Sequence, residues 1–463
     1  MRYYYDTMHD GNRNILLLTV GILVLVGGVV WLAENPQAQS TPDCTNCNII
    51  LISIDTFGAK HSTVYNPTLN TTPFLKKLAD ERGVVFEYAY AQAPWTLPSH
   101  TAMLTGLYPW DIGVWGPFDA LPKAVETLSE LLAENGYATA AFSTGAFVQP
   151  EWQFDQGFDE FQGELTEEYW NDLPMLLNNA QDWILSHRES KKPFFVFVRP
   201  FELHDPYGTP GNPGAVTIED IVDANLQEGG PTEAQSKQFE TAYHEEVKIA
   251  DTALREFFKA LDESGLSQNT IVLITSDHGE EFGEHGTAGF HSITTYTELI
   301  HVPLVVIVPG AKPQRISSSV EVRSIPASLL EIVGIIASPS IGKSLLPIIN
   351  GVEHKDRLVL ARATSERNQT LNIIERIYKK TLKDIGSGAL VPTEAEKMYT
   401  GYEVRSALIG PWHVIQNANG SIEVYEIYTD PNEQKNLGVE AKQFSAYDRN
   451  LIQELQTLVT KRP

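Results

Sequence analysis

Cysteine is scarce in this chain, which has only two, Cys44 and Cys47, among 463 residues. A C-x-x-C pair outside the cytoplasm can close a small disulfide or remain unused. A zinc site at this pair would need further ligands, and the neighbouring sequence supplies none. Repeats of fixed period and long low-complexity tracts are also missing, which argues against a solenoid or a coiled coil.

Basic residues are in short supply as well. The chain has 34 Lys and Arg residues against 59 Asp and Glu residues, for a net charge of −25 at pH 7. We therefore expect no nucleic-acid partner, because binding to a phosphate backbone requires a basic face. A small anionic substrate remains compatible with this charge, since a bound metal ion and histidines can reverse the sign of the local field.

The chain has a single long apolar run. Residues 15–33 contain no charged side chain and lie between Arg13 and Glu34. As a helix this stretch would span about 28 Å, close to the thickness of a bilayer core, and it exceeds the roughly 7–15 residues of a signal-peptide core. No clear A-x-A cleavage site follows it. We predict an uncleaved transmembrane anchor at 15–33, with a cleaved signal peptide as the alternative.

The charges on either side of this run predict its orientation. Arg2 and Arg13 precede the run, whereas no Lys or Arg follows it before Lys60. The positive-inside rule then places residues 1–14 in the cytoplasm and the body of the protein outside, in the periplasm or the extracellular space. Residues 34–47 are rich in Pro, Gln, Ser, Thr and Asn and are typical of a linker.

The rest of the chain alternates between short apolar runs and helical patterns. This alternation predicts an α/β domain at 48–355, with a doubly wound, mostly parallel central sheet and helices on both faces. Residues 356–463 show short β-like stretches joined by Asn-Gly and Asp-Pro turns and a final helix near 444–461, which predict a small C-terminal subdomain with an antiparallel sheet. The predicted strands are 48–54, 193–198, 270–275 and 302–308, and the predicted helices are 72–82, 124–135 and 242–264.

Two acidic residues follow predicted core strands. Asp55 comes directly after the first strand, and Asp277 with His278 follows the strand at 270–275. In open α/β sheets ligands gather at the carboxyl ends of strands, so two carboxylates and an imidazole from two such ends can hold one divalent ion. A single Asp at a strand end is more often a turn former, and it is the combination that predicts a metal site.

A hydroxyl group lies at the start of the next helix. Thr96 belongs to the segment WTLPSH, in which Pro98 marks a helix start and Gly106 marks its end. A hydroxyl there lies at the positive end of the helix, which favours an alkoxide and an incoming anion. On its local sequence alone, Thr96 is better explained as a plain N-cap residue, and the other candidate site residues are what favour a catalytic role.

Five segments of the chain resemble sulfatases, in the order usual for that family. They are NIILISID at 48–55, TTPFLKKLADERGVVFEYAYAQAPWTLPSHTAMLTGLYP at 71–109, TSDHGEEFGEHG at 275–286, GKSLL at 342–346 and YEIYTDPNEQKNL at 425–437. The resemblance covers nearly all of residues 48–440. It implies a large α/β domain carrying the site and a smaller domain with a four-stranded antiparallel sheet.

The resemblance also implies roles for individual residues. Asp55 matches the first acidic metal ligand, Asp277 and His278 match the second ligand pair, and Thr96 matches the nucleophile, which also contacts the metal. Three further histidines are expected at the site. His204 resembles the histidine that contacts the ester oxygens, His291 lies where a Lys or His is found near the leaving group, and His100 replaces the Arg of the nucleophile signature. His285 is typical of the family without an assigned role.

Departures from the family pattern affect the expected substrate. Sulfatases convert a Cys or Ser at the nucleophile position to formylglycine, an aldehyde that Thr96 cannot yield. Thr96 therefore resembles the direct nucleophile of lipoteichoic acid synthases and phosphoethanolamine transferases. The second acid of the usual Asp-Asp pair is Thr56, and no Gly-Lys-Trp-His segment is present.

Three functions stay open at this point. The favoured one is hydrolysis or transfer of a phosphate or phosphonate ester by Thr96, with one divalent ion (Ca²⁺, Mn²⁺ or Zn²⁺) that lowers the pKa of the hydroxyl. The second is hydrolysis of a sulfate ester without formylglycine, and the third is a non-catalytic metal-binding relative. The expected partner is a small-molecule, glycan or lipid-headgroup ester, with the membrane contacted through the N-terminal anchor.

Overall fold

The computed structural model describes residues 44–116, 119–145, 147–164, 172–190, 192–208, 214–363 and 403–461. The predicted anchor at 15–33, its cytoplasmic flank and most of the linker lie outside these residues. Within the described ranges, no helix combines the length and the apolar character needed to cross a bilayer. Cys44 and Cys47 form a disulfide, which confirms the first of the two possibilities stated for this pair.

The centre of the larger domain is a nine-stranded sheet in the order β11-β2-β10-β6-β1-β5-β3-β4, with β9 paired to β2. β10 and β9 run antiparallel to their neighbours, and the other pairings are parallel. The predicted doubly wound, mostly parallel sheet is therefore confirmed. Its strands are β1 (Asn48–Ser53), β2 (Val84–Tyr90), β3 (Ala138–Thr144), β4 (Glu160–Glu164), β5 (Phe194–Arg199), β6 (Thr270–Thr275), β9 (His301–Val302), β10 (Leu304–Ile307) and β11 (Gln314–Glu321), with a small hairpin formed by β7 (Glu281–Phe282) and β8 (Ala288–Phe290).

Helices cover both faces of this sheet. Side chains of β1 alternate between the faces, with Ile49 and Leu51 in one core and Ile50 and Ile52 in the other. This alternation explains why the strand reads as a continuous apolar run, since a strand buried on both faces has no polar side. The helices are α1 (Pro73–Arg82), α2 (Thr96–Thr105), α3 (Leu128–Glu134), α4 (Asp172–His187), α5 (Ile218–Leu226), α6 (Glu233–Glu263), α7 (Thr297–Ile300), α8 (Ile325–Ile332) and α9 (Leu346–Ile349).

Some predicted boundaries were wrong. α6 begins at Glu233 rather than 242, because Thr232 and Gln235 form a capping box that starts the helix earlier. α3 begins at Leu128 rather than 124, where Thr127 and Glu130 form another capping box. The apolar run at 302–308 divides into β9 and β10 at Pro303, which has no N–H to donate to a strand ladder.

A second sheet begins at Val359. Its four antiparallel strands are β12 (Val359–Ala363), β13 (Val404–Ile409), β14 (Trp412–Gln416) and β15 (Ile422–Glu426), followed by helix α10 (Ala446–Thr460). One face of this sheet packs on the large domain through Tyr90 and Leu299, and the other face packs on α10 through Ile452 and Leu455. The predicted C-terminal antiparallel sheet is confirmed.

Glu433 joins the two sheets at a buried position. One of its carboxylate oxygens accepts a hydrogen bond from the backbone N–H of Thr297 at 2.7 Å, and the other is 2.5 Å from Nδ1 of His413. Glu433 and His413 are both buried. A buried donor that loses its acceptor cannot recover its hydrogen bond from water.

We expect Glu433→Ala to lower the free energy of unfolding by about 2–4 kcal/mol, because it leaves two buried donors unpaired. Urea denaturation followed by fluorescence measures this change. Glu440→Ala, an exposed position in the same region, is the matched control and is expected to change stability by less than about 0.5 kcal/mol. Equal stability of the two variants would contradict the bridging role of Glu433.

Candidate active site

The two predicted acids meet at one edge of the central sheet. β1 and β6 are parallel neighbours in register from Asn48 with Thr270 to Ser53 with Thr275, so their carboxyl ends emerge side by side. Asp55 and Asp277 follow these ends and are fully buried. Ligand atoms of Asp55, Asp277 and His278 all lie within 4.8 Å of one another. The three residues expected to share a metal ion are therefore brought together.

The orientation of His278 leaves one ring nitrogen free to act as a ligand. Its Nδ1 is 2.9 Å from the carbonyl oxygen of Gly279, which can only accept, so Nδ1 carries the proton. Nε2 then presents a lone pair, 3.6 Å from Oδ1 of Asp55 and 3.4 Å from Oδ2 of Asp277. Both of these carboxylate oxygens are buried without a hydrogen-bond partner among the described residues. Two orphaned carboxylate oxygens and an imidazole lone pair fit a divalent cation.

The pKa values of the two carboxyls reflect their crowding. Burial and the neighbouring Asp55 raise the pKa of Asp277 well above its ordinary value. Burial also opposes ionisation of Asp55, but the Arg199 guanidinium and the nearby histidines outweigh it and hold the pKa of Asp55 well below its usual range. Asp55 is thus already paired with a guanidinium, whereas Asp277 forms no ion pair with a Lys or Arg side chain among the described residues.

Thr96 lies beside this cluster as the first residue of α2, and it is buried. Its Oγ1 is 3.5 Å from Nε2 of His278. Ser99, on the first turn of the same helix, donates a hydrogen bond of 2.6 Å to the backbone oxygen of Asp277, which fixes the helix start against the end of β6. The hydroxyl therefore lies at the positive end of a helix, next to the candidate metal ligands.

His100 lies behind Thr96 and is fully buried. Its Nδ1 donates to the backbone oxygen of Thr96 at 3.0 Å, and its Nε2 accepts from the hydroxyl of Ser53 at 3.0 Å. Burial, together with the charge of Arg199, lowers the pKa of His100 to about 3, so the ring is neutral at physiological pH. Both nitrogens are engaged, which gives His100 the geometry of a positioning residue for Thr96 rather than of a proton donor.

Two further histidines stand next to His278. The ring centroids of His278 and His291 are 4.5 Å apart, and those of His291 and His204 are 4.9 Å apart. Nδ1 of His291 is 3.1 Å from Oε1 of Glu280, and Nδ1 of His204 is 2.5 Å from Oδ1 of Asp205. Side chains of His204 and His291 are 19% and 15% exposed, so they form the accessible side of the site.

The ion pair with Asp205 makes His204 a cation at neutral pH. Burial alone would lower its pKa, but Asp205 outweighs burial and raises the pKa of His204 to about 9. The imidazolium is present below this pH and is lost as the pH rises through it. If the imidazolium is required, kcat/KM falls above about pH 9 in the wild type.

We expect Asp205→Asn to move this alkaline limb to lower pH by about one unit or more, because the strongest influence that raises the pKa of His204 is removed and only the charges of Asp55 and Glu280 then oppose burial. A profile of kcat/KM against pH measures the shift. Asp182→Asn changes an exposed carboxyl on α4 and serves as the control with an unmoved limb. An alkaline limb at the same pH in both variants would contradict a role for protonated His204.

Sequence reasoning missed Arg199, the last residue of β5. Its guanidinium is fully buried, forms an ion pair with Oδ2 of Asp55 and donates to the backbone oxygen of Thr144. The pair leaves only Oδ1 of Asp55 free for a metal ion. A polar residue ending an apolar strand run is the same signal that identified Asp55, and it was available for Arg199.

Two other positions that the sequence singled out also have defined places in the structure. Thr56 has positive φ (54°), and its buried Oγ1 has no hydrogen-bond partner among the described residues, so a neutral oxygen lies where the family pattern has its second acid. The side chain of His285 pairs with Glu298 of α7, and its Nε2 lies 3.2 Å from the backbone oxygen of Glu433, which follows β15. His285 therefore belongs to the contact between the large domain and the C-terminal subdomain.

Comparison with known proteins shows the family of this chain. The model of the Sulfatase family matches residues 47–335. The chain belongs to the sulfatase family. Arylsulfatase K of Rattus norvegicus is 24% identical over 96% of this chain and 83% of that protein, and an ulvan-active sulfatase of Formosa agariphila is 25% identical over 69% of this chain and 65% of that protein.

Solved structures show the same fold at low identity. The phosphonate monoester hydrolase of Agrobacterium radiobacter superposes with a TM-score of 0.68 at 17% identity, over 89% of this chain and 95% of that one. A 2-O GAG sulfatase superposes with a TM-score of 0.65 at 20% identity, over 89% and 91%. The sulfatase relatives and the family match make this chain a sulfatase-like hydrolase.

Proposed function

We propose that Thr96 is the nucleophile of a metal-dependent hydrolase acting on singly charged phosphate or phosphonate esters. The observation that carries this proposal is the position of Thr96 Oγ1, 3.5 Å from His278 Nε2 and beside two carboxylates with orphaned oxygens. A non-catalytic binding protein would need the carboxylates and the imidazole but would have no use for a buried hydroxyl beside them.

Asp55, Asp277 and His278 would hold the metal ion, with the Thr96 hydroxyl as a neighbouring oxygen. Two carboxylates and one imidazole suit Mn²⁺ or Zn²⁺, and additional oxygens would suit Ca²⁺. When bound, a divalent ion lowers the pKa of a nearby hydroxyl and offsets negative charge on the group being transferred.

The remaining steps depend on the chain's own side chains. Thr96 Oγ forms a bond to phosphorus while the bond from phosphorus to the leaving oxygen breaks. His291, with Nδ1 held by Glu280, presents Nε2 and takes the hydroxyl proton, directly or through water. His204, a cation at neutral pH, protonates the leaving oxygen. Water then attacks the phosphorus of the threonyl ester and gives a proton to His204, while the bond from phosphorus to Thr96 Oγ1 breaks and His291 returns its proton to that oxygen.

The charges around the site favour a monoanionic substrate. Asp55, Asp277 and Glu280 carry three negative charges when ionised, and Arg199 with a divalent ion would carry three positive charges. The positive charge of His204 is balanced by the negative charge of Asp205. A site that is close to neutral stabilises one negative charge on an ester better than two. Phosphodiesters, phosphonate monoesters and sulfate esters have one such charge, whereas phosphomonoesters have up to two.

Sulfate ester hydrolysis is the second candidate, and the relatives favour it. The curated relatives include arylsulfatase K and an ulvan-active sulfatase, which by their names act on sulfate esters. A glycan sulfate ester is therefore the alternative substrate class. Against it stands Thr96, because a threonine side chain cannot be converted to the formylglycine aldehyde.

Paired chromogenic esters test the proposal. We expect the protein with Mn²⁺, Zn²⁺ or Ca²⁺ to hydrolyse bis(p-nitrophenyl) phosphate at least about tenfold faster, in kcat/KM, than p-nitrophenyl phosphate or p-nitrophenyl sulfate. Release of p-nitrophenol gives the rates, and a chelator should abolish them. A faster rate on the sulfate ester would favour the second candidate, and a faster rate on the phosphomonoester would contradict the charge argument.

We also propose that the site faces the outside of the cell. The Cys44–Cys47 disulfide supports this location, because disulfides persist in oxidising compartments. The predicted anchor at 15–33 would then tether the domain to the outer surface of the membrane. Protease digestion of intact cells and of lysed cells distinguishes this arrangement from a cytoplasmic one.

A further inference from the structure

A second cluster of ligand-type side chains lies on α6. Glu240 and His244 are four residues apart, so both point from the same face of the helix. His61, from the short 3-10 turn Ala59–His61, faces them. Ligand atoms of these three residues lie within 4.8 Å of one another. His61 is buried, whereas the side chain of Glu240 is 29% exposed and gives the cluster access to solvent.

The two histidines share a single proton between them. Nδ1 of His61 is 2.9 Å from Nε2 of His244, a separation at which the two nitrogens cannot both carry a proton. The other nitrogen of His61, Nε2, is buried without a hydrogen-bond partner among the described residues. One of the two facing nitrogens therefore presents a lone pair inside the cluster. The hydrogen bond between the two rings uses this lone pair, but Nε2 of His61 still has no partner.

We propose that His61, Glu240 and His244 bind a second divalent transition-metal ion of the Zn²⁺ class, separate from the site at Asp55 and Asp277. Ligand atoms that share a tetrahedral ion at about 2.0–2.1 Å are roughly 3.3 Å apart. The observed separations lie on either side of that value. They are 2.9 Å between the two imidazole nitrogens and 3.9 Å from His61 Nδ1 to Oε1 of Glu240. Small side-chain rotations convert one arrangement into the other, with water as the fourth ligand.

A third cluster of similar composition serves as a contrast. Glu281, His285 and Glu298 also lie within 4.8 Å of one another. Both oxygens of Glu281 already accept hydrogen bonds from Thr287, and both ring nitrogens of His285 have partners, Glu298 and the backbone oxygen of Glu433. Glu281 and His285 are therefore fully used by protein hydrogen bonds, and only Oε2 of Glu298 is left without a partner among the described residues. Oε1 of Glu240, in contrast, lies near His61 and has no hydrogen bond of its own among the described residues.

The proposed ion would connect α6 to the active-site framework. The ring of His61 packs edge-on against Tyr243 and Phe282. The hydroxyl of Tyr243 donates a 2.9 Å hydrogen bond to the backbone oxygen of Thr56, the residue after Asp55. Binding at His61 would therefore hold α6 against the segment that carries the first catalytic ligand, and we expect it to stabilise the fold.

Cobalt and zinc titrations of the full chain test this proposal. In an Asp277→Asn background, which disables the first site, Co²⁺ is expected to give the visible absorption of a tetrahedral ion, and Zn²⁺ to raise Tm. Adding His244→Gln or Glu240→Gln should weaken this binding by about a hundredfold and remove the Tm increase. His354→Gln, at an exposed histidine, is the matched control with unchanged binding.

Two results would overturn the proposal. One is the absence of tetrahedral Co²⁺ absorption in the Asp277→Asn background, which would make the histidine pair a hydrogen bond and nothing more. The other is binding that survives in both ligand variants. Because His244 and Glu240 are partly exposed, their replacements should fold, and near-ultraviolet circular dichroism checks this. The outcome is independent of ester hydrolysis, since metal binding is measured without substrate.

Discussion

Replacing Thr96 with alanine is expected to reduce kcat by about a thousandfold or more, with little change in stability. The loss is large because no other hydroxyl among the described residues lies at the same position beside His278, and removal of a nucleophile disables all the groups that act with it. The change deletes one hydroxyl and one methyl group, so unfolding should be affected by about 1 kcal/mol or less. Steady-state turnover of bis(p-nitrophenyl) phosphate measures the effect.

Two variants make this test specific. Thr96→Ser keeps the hydroxyl and is expected to retain measurable activity. Thr101→Ala removes a hydroxyl from the same helix that donates only to the backbone oxygen of Leu97, and it should leave kcat within about threefold of the wild type. If Thr96→Ala kept most of the activity, the nucleophile would have to be another group, such as an activated water.

Replacing Asp55 with asparagine is expected to lower the free energy of unfolding of the metal-free protein by about 3–5 kcal/mol. The substitution removes the only carboxylate that pairs with the buried guanidinium of Arg199 among the described residues, and a buried charge without its partner is strongly unfavourable. Urea denaturation in a chelator measures the change. Activity should also be lost, because a metal ligand is missing.

Asp277→Asn is the matched control for this prediction. It makes the same change of charge in the same cluster, but Asp277 is outside the ion pair between Arg199 and Asp55. An asparagine oxygen at this position can still accept the backbone hydrogen bonds from Thr56 and His278. The pKa of Asp277 is already raised by burial and by Asp55, so neutralising it relieves a repulsion. We expect Asp277→Asn to be neutral or stabilising in the chelator while activity is lost. Equal destabilisation by the two variants would show that Arg199 does not depend on Asp55.

Much of the fold was predictable because its strands follow simple rules. β6 and β14 were located to the residue, since each is an apolar run with turn-forming residues on both sides. Helix starts were less predictable. The first turns of α6 are polar, and their helical structure depends on the capping box at Thr232 rather than on apolar periodicity. The prediction that 302–308 is one strand failed because the apolar pattern alone does not register the missing N–H of Pro303, where the run divides.

The site was predictable to the extent that its residues follow strand ends and helix starts. Asp55, Thr96, Asp277 and His278 all do so, and the structure brings them together. The partners Asp205 and Glu280 were not predicted, because sequence spacing does not show which side chains face each other across neighbouring strands and loops. Arg199 ends an apolar strand and could have been selected, but its pairing with Asp55 could not. Their effect is physical and local: each sets the charge or orientation of a residue that sequence reasoning had already selected.

The position of Glu433 limits how this protein can be divided or recombined. Its carboxylate completes hydrogen bonds of α7 on one side and of β14 on the other. A hybrid in which the C-terminal sheet comes from a relative would need an acid at the same place in its 425–437 segment. Without that acid, the backbone N–H of Thr297 in the large domain would lose its hydrogen-bond acceptor, close in sequence to the loop that carries His291. Grafting between members of the family therefore has to preserve this one buried acid as well as the apolar contact around Tyr90 and Leu299.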